Sequence, residues 1–323
     1  MAEKLKILWL TIDRSMRVTG HFDYFREEVS KHAEVTTLFK SPKPFLAGRW
    51  SKMMMKGKVK SPRFVDKKLA DKGWDFVMTD AMFGYMEENL DLIKAPKGFT
   101  IEDNHGIVPA WQVKTAASRG VEYLFHRGMR SFRRFHPTAP ETYKCRWLPF
   151  AANTDLFYPM GLKRAGVLQA GACGAGNYPI RAKLIEELSG WDQYTHIPRP
   201  HETVEKTPKW PIREDFAKVI NQAEIFLTCG SRYKAAVQKY FEVPACETLL
   251  MSDYFDDLDL LGFEDGKNIV IYEEDVRGQL ELMLQDVPRI RRIAQRGREL
   301  ILEKHTLSHR AIQFLDYVEK ALR

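Results

Sequence analysis

The sequence predicts an α/β protein made of two doubly wound halves, each a mostly parallel sheet with helices on its faces. Three observations predict it. Short, nearly continuous apolar runs alternate with segments of helical spacing, as buried parallel strands and their crossover helices require. The alternation stops at Ala151–Gly161, a stretch of turn formers without a period, and then restarts. The length of 323 residues suits two domains, each able to bury a core.

In the first half, Leu5–Ile12 reads as a strand covered on both faces. His21–His32 has helical spacing, with Phe22, Phe25 and Val29 on one side. Glu34–Phe39 is β-branched and strand-like, Phe64–Lys72 helical, and Trp74–Thr79 a strand ending at Asp80. Gly98–Ile101 is a strand running into Glu102-Asp103-Asn104-His105-Gly106, Val121–Arg134 a strand followed by a helix, and Trp147–Phe150 closes the half. In the second half, Val167–Ala170 is a strand followed by a glycine turn and a helix over Ile180–Leu188. Asp192–Pro211 is polar and proline-rich. The remaining expected elements are a helix at Phe216–Asn221, strands at Glu224–Thr228, Leu249–Met251 and Ile269–Tyr272, and helices at Tyr233–Phe241, Val276–Leu284 and Val287–Lys304. The last helix, Ser308–Leu322, carries Ile312, Leu315, Val318 and Leu322 at helical spacing. The expected domains are 1–151 and 152–307, with helix 308–323 packing back on the first.

Composition narrows the class. Apolar residues make up 44% and aromatics 12%, a globular balance. No apolar run approaches the roughly 18–20 residues that span a bilayer. The N-terminal MAEKLKILWLTIDR has no small-residue cleavage site and reads as a first strand, not a signal peptide. Cys145, Cys173, Cys229 and Cys246 are far apart, which argues against zinc and a disulfide framework and for a reducing cytoplasm. The net charge of +7 is unevenly spread: residues 1–150 hold 27 Lys and Arg against 17 Asp and Glu, and the remainder 23 against 26. Lys40–Lys68 holds ten basic residues and one acid, Asp66. Such a run is commonly a solvated loop. The interleaved Phe45, Trp50, Met53, Met54 and Met55 instead favour a contact surface for an anionic partner, with Lys52, Lys56, Lys58, Lys60 and Arg63 as its candidate cations.

Doubly wound halves with a cleft between them bind ligands at the carboxyl ends of their strands. That rule selects Asp13, Arg14, Asp80 and the Asp103–His105 cluster in the first half. In the second it selects Gly171–Asn177, Cys229–Arg232 and the neighbourhood of Glu242. The turn GACGAG, with Gly171 and Gly174, offers backbone N–H groups to an anion, although a structural turn reads the same way. Arg232, Lys234 and Lys239 precede the lone acid Glu242, whose flanks Phe241 and Val243 argue against full exposure. Cations for phosphates followed by a carboxylate for sugar hydroxyls are what a nucleotide-sugar site needs. His105 is equally a loop histidine satisfied by Asp103, and His305 is expected to cap or pack the last helices.

From Trp147 onward the chain resembles GT-B-fold glycosyltransferases, in particular the group related to the spore-maturation protein CgeB. The resemblance is carried by WLPFAANTDLFYP, NYPIR, AEIFLTCGSRYKAAVQKYFEVPACETLLMSD, GFEDGKNIVIY and HTLSHR, in that order. It implies two Rossmann-like domains facing each other across a cleft, a nucleotide-sugar donor in the second and an acceptor mainly in the first. It places Arg232 and Lys239 near the donor diphosphate, helped by Gly171, Gly174 and Asn177. It makes Glu242 the second Glu of an E-x7-E pattern, on the nucleotide ribose. The first Glu falls on Lys234, and the glycine usual shortly after the second falls on Glu247. His105 lies where related retaining enzymes carry a histidine facing the transferred sugar.

GT-B enzymes usually need no bound metal, so no cofactor is expected, and cations and helix dipoles stabilise the leaving diphosphate. An inverting reaction needs a base, for which Asp103, His105 and Asp80 are the candidates. A retaining reaction does not. For the acceptor, a hydroxymethylated base in DNA, as in phage enzymes, stands narrowly ahead of a cell-envelope glycan or lipid carrier. The reading of another class is a GT-B-like shell that binds nucleotide or nucleic acid without transfer. An NAD-type oxidoreductase would need a glycine fingerprint after the first strand, where TIDRSMRVTG has one glycine.

Overall fold

A computed structural model describes residues 3–12, 21–40, 65–80, 89–101, 113–114, 116–174, 176–198, 211 and 213–323. The chain divides into two compact units. One comprises 1–15, 22–149 and 311–323, and the other 16–21 and 150–310.

The first unit is a six-stranded parallel sheet in the order β2-β1-β3-β4-β5-β6. Its strands are β1 (Lys6–Ile12), β2 (Glu34–Lys40), β3 (Phe76–Thr79), β4 (Lys97–Ile101), β5 (Tyr123–His126) and β6 (Lys144–Trp147). β1 pairs with β2 on one side and β3 on the other, with Ile7 opposite both Val35 and Phe76. Both edges of β1 are therefore paired, and the successive residues Ile7, Leu8 and Trp9, which point to alternate faces, are wholly buried, so both faces are covered and the sequence is an unbroken apolar run. Helix α1 (His21–His32) buries Phe25 and Val29, as its spacing predicts. The helix expected at 64–72 is shorter, α2 (Lys67–Ala70), capped by the Asp66 side chain on the Leu69 N–H. Two more short helices follow, α3 (Met129–Phe135) and α4 (Ala139–Thr142).

The second unit is a five-stranded parallel sheet in the order β11-β10-β9-β7-β8. Its strands are β7 (Val167–Gly171), β8 (Tyr194–Pro198), β9 (Ile225–Leu227), β10 (Leu249–Ser252) and β11 (Val270–Ile271). Its helices are α5 (Pro179–Leu188), α6 (Glu214–Asn221), α7 (Lys239–Ala245), α8 (Asp257–Leu260), α9 (Val276–Gln285) and α10 (Val287–Lys304). The last helix, α11 (Leu307–Leu322), belongs to the first unit from Ala311 on. In both sheets the strand order reverses beside the first strand, between β1 and β3 and between β7 and β9. Those are the points where doubly wound sheets bind ligands.

Two readings need correction, and one strand was not foreseen: β8 lies within Asp192–Pro211. β8 is an edge strand paired only with β7 and is largely half-exposed, so it has no apolar run to reveal it. The helix read at Tyr233–Phe241 begins only at Lys239 and runs through Pro244 to Ala245. Ser231 and Lys234 take left-handed φ of +60° and +53°, which no right-handed helix accommodates. In α11 the buried stripe is Ala311, Phe314 and Val318, while Ile312 is 58% exposed.

Phe314 holds the first unit's core together. Its ring lies 5.4 to 6.0 Å from those of Trp9, Phe25, Phe76 and Phe125. Phe314→Ala is expected to cost about 3–5 kcal/mol, and Ile312→Ser less than about 0.5 kcal/mol, measured by urea unfolding. The opposite ranking would restore the outward face as the packed one.

Two buried histidines stay neutral. His126 stacks on Phe132 at 4.1 Å and donates from Nδ1 to the Gly128 carbonyl. His305 donates from Nε2 to the Leu261 carbonyl, 2.7 Å away, and accepts at Nδ1 from Arg310. Burial is the main cause that lowers both pKa values to about 4; Arg310 adds to the effect at His305. The unfolded chain takes up protons near pH 6.5 and the folded one only near 4. Each imidazole thus contributes stability that is complete above about pH 6.5 and lost toward pH 4, on the order of 3 kcal/mol. His305→Gln should flatten part of that acid limb in unfolding measured against pH, and an unchanged slope would place His305 outside it.

Candidate functional site

The carboxyl ends of β7 and β9 form the candidate site of the second unit. β7 ends on Gly171, whose φ of +130° is strained for any residue with a side chain. A Cβ there would lie 3.1 Å from an Arg181 guanidinium nitrogen and 3.2 Å from the Lys239 ammonium. The missing side chain is what lets two cations reach the strand end.

The turn after β7 folds on the Gly174 carbonyl, which accepts from the N–H groups of Asn177 and Tyr178. It is clamped to the segment after β9. The Arg232 N–H donates to the Asn177 carbonyl (3.0 Å), its guanidinium to the Gly176 carbonyl (3.0 Å), and the Tyr233 hydroxyl to Asn177 Oδ1 (3.0 Å). The exposed Arg232 guanidinium also lies 5.8 Å from the Tyr233 ring. Gly171, Gly174, Asn177, Arg232 and Lys239 therefore meet at one strand end.

Glu242 joins them through α7. Tyr240, Phe241, Val243, Pro244 and Ala245 of this helix are buried, while Lys239 and Glu242 are only half-buried. Three residues apart, they share one helix face. Beyond α7, Arg164 donates to the carbonyls of Cys246 (2.8 Å) and Glu247 (2.5 Å) and to the Thr248 hydroxyl (2.8 Å), a cation on the helix's negative end.

Both departures from the E-x7-E pattern sit on left-handed backbone. Glu247 has φ +56° and Lys234 φ +53°. Glycine is the residue such a position favours. Glu247 thus keeps the backbone turn without the glycine, and Arg164 binds its carbonyl. Lys234 pairs with Asp253 at the end of β10 (2.7 Å), whose other oxygen accepts from the Gly230 N–H (2.7 Å).

Of the first unit's candidates, Asp80 is described. It follows β3 at the reversal point, is 1% exposed, and accepts from the Trp9 indole N–H at 3.1 Å. Asp103, His105, Lys52, Lys56, Lys58, Lys60 and Arg63, with Asp13 and Arg14, lie outside the described residues. Among the described residues no cluster of His, Cys, Asp and Glu is arranged to hold a metal ion, and no helix is long and apolar enough to cross a membrane. Sequence reasoning missed Arg181 and Tyr233. Arg181 stood inside NYPIR, and its signal was a lone cation one turn after a glycine-rich loop.

Residues 168–316 match the model of a glycosyl transferase-like family. Among solved structures, a glycosyltransferase from Rickettsia africae ESF-5 superposes over 99% of both chains with a TM-score of 0.63 at 12% identity. A sucrose-phosphate synthase from Thermosynechococcus elongatus does so over 98% of both chains, with a TM-score of 0.61 at 10% identity. Anabaena HepE, in complex with UDP and glucose, covers 98% of this chain and 99% of its own, with a TM-score of 0.58 at 10% identity. No curated protein matches the chain by sequence. At these identities the structural likeness establishes the fold, which is GT-B. Within it, the second unit carries a glycosyl transferase-like sequence.

Glu247→Gly should relieve the left-handed strain and stabilise the protein by up to about 1 kcal/mol, read as a raised urea midpoint. A lowered midpoint would mean that the Glu247 side chain contributes more than its backbone costs.

Proposed function

We propose that the protein is a glycosyltransferase that moves a sugar from a nucleotide-sugar donor, held by the second unit, to an acceptor hydroxyl. The observation that carries the reading is the meeting of Arg232, Lys239 and the Gly171–Asn177 turn at the β7/β9 reversal point, within the segment that matches the glycosyl transferase-like family. The order of motifs after Trp147 favours the CgeB-related group. HepE is in complex with UDP-glucose, which makes uridine diphosphate sugars the first donors to test.

In the reaction the bond from the anomeric carbon to the diphosphate oxygen breaks, and the diphosphate leaves with the electron pair. The acceptor oxygen forms the new bond and loses its proton. Arg232 and Lys239 stabilise the charge growing on the diphosphate, a task that needs no metal or other cofactor. Glu242, on the same face as Lys239, accepts from the ribose hydroxyls. Buried and bonded to Trp9, Asp80 is suited to holding the ends of β1 and β3. Asp103 and His105 are then the bases for an inverting reaction, and in a retaining one His105 positions the sugar.

Lys239→Ala, Arg232→Ala and Glu242→Ala should each lower transfer from a uridine diphosphate sugar by about 10²-fold or more, followed by release of free UDP. Full activity in all three would remove the donor site from this strand end. The Lys234–Asp253 pair, a cation where the pattern has Glu, favours the second reading, a shell that binds nucleotide without transfer. Nucleotide binding with no turnover across a donor and acceptor panel would select it.

The acceptor reading rests on charge. The excess of 27 basic over 17 acidic residues in 1–150 suits an anionic polymer, with a hydroxymethylated DNA base ahead of an envelope glycan or lipid carrier. DNA retention at low salt should fall steeply as salt rises and be lost when Lys52, Lys56, Lys58 and Lys60 are neutralised. No DNA retention at low salt would turn the assignment to the envelope acceptor.

A further inference from the structure

Arg181 is 2% exposed. One guanidinium nitrogen donates to the Ala172 carbonyl (2.5 Å), another to the Thr228 hydroxyl (3.3 Å), and its plane lies 4.2 Å from the Tyr178 ring. Among the described residues its buried Nε has no hydrogen-bond partner, and no carboxylate lies within ion-pair distance. A guanidinium cannot escape burial by losing its proton. A buried cation without a counter-ion is unfavourable, because its desolvation goes uncompensated. Arg181 lies 3.1 Å from the Cβ position of Gly171, and Lys239 lies 3.2 Å from the same point. Two like charges beside one strand end favour an anion there.

We infer that Arg181 is a positioning residue of the donor site, a buried cation that draws the donor's diphosphate to the end of β7. It acts in two ways. Its charge adds to that of Lys239 in a low-dielectric setting, where it is poorly screened. Its bonds tie the segment after β7, through Ala172, to the segment after β9, through Thr228. The Ala172 carbonyl oxygen is thereby engaged by Arg181 and not left to face an anion. Arg181 does not touch the reacting atoms. The inference rests on the donor-site reading above.

The test titrates the full chain and its Arg181→Met and Arg181→Lys variants with inorganic pyrophosphate, UDP and uridine by calorimetry. Arg181→Met should weaken pyrophosphate and UDP about 10- to 100-fold and leave uridine unchanged, with Arg181→Lys recovering part of the loss. Equal loss for UDP and uridine would mean a purely structural arginine, and unchanged UDP affinity would remove Arg181 from the site; either result overturns the inference and leaves the donor reading standing. Failure of the wild-type protein to bind pyrophosphate or UDP overturns both. If Arg181→Met does not fold, the arginine Nε–H resonances of the wild-type protein decide. Pyrophosphate must move the one signal that is missing from Arg181→Lys, and a signal that stays put overturns the inference.

Discussion

The absence of a side chain at Gly171 is the constraint around which the second unit is arranged. A parallel strand that ends at a reversal point opens a crevice beside its neighbour. What fills the crevice depends on how closely groups can approach the strand end. With a φ of +130° and no Cβ, Gly171 admits Lys239 from α7 and Arg181 from α5. Each of those helices follows a different strand, so the approach couples the two halves of the sheet. The clamps from Arg232 and Tyr233 then tie Gly176 and Asn177 to the segment after β9. A substitution at Gly171 would meet backbone strain and two charged side chains at once.

How much of this was legible depends on whether the signal lay in side chains or in backbone. β1, β7, β9 and β10 are covered on both faces, so their apolar runs announced them. β8 is an edge strand with little to bury, and composition hid it. The start of α7 was misplaced because Tyr233–Phe241 has acceptable helix formers throughout. What breaks the helix is left-handed backbone at Ser231 and Lys234, and neither residue type demands that. In α11 the spacing was read correctly, and of the residues it picked Val318 is buried while Ile312 and Leu322 are exposed. Ile312 and Phe314 both continue an apolar period, and only the aromatic cluster around Phe314 decides which turns inward.

The candidate site divides along the same line. The carboxyl-end rule reached Gly171, Gly174, Asn177 and Arg232 without knowledge of the fold's details, because topology alone selects strand ends. Lys239 and Glu242 came from the charge pattern, and α7 explains that pattern: they are the polar residues of a helix otherwise buried. Arg181 was passed over, despite its place after a glycine-rich loop, because a cation early in a helix is ordinarily solvent-facing. Its burial arises from the Tyr178 ring and from bonds to Ala172, nearby in the chain, and to Thr228, distant in sequence. The glycine expected near Glu247 reflects a backbone requirement, and the chain meets that requirement with a glutamate whose carbonyl Arg164 binds.

Residues 151–323 hold 23 basic and 26 acidic side chains, yet cations gather at the β7/β9 strand ends. The sign of a site is set by which charges are already paired. Lys234 is engaged by Asp253 at 2.7 Å, and that carboxylate also holds the Gly230 N–H. Drawing Lys234 toward a phosphate would leave a nearly buried carboxylate without its partner, which is unfavourable. Arg232 lies exposed at the turn, and Lys239 reaches the strand end directly. Arg181 lies behind that end with no carboxylate among the described residues. The departure at Lys234 thus removes one carboxylate from the pattern without adding a free cation. The attraction for a diphosphate falls to the arginines and the lysine that the missing side chain of Gly171 and the clamped turn bring together.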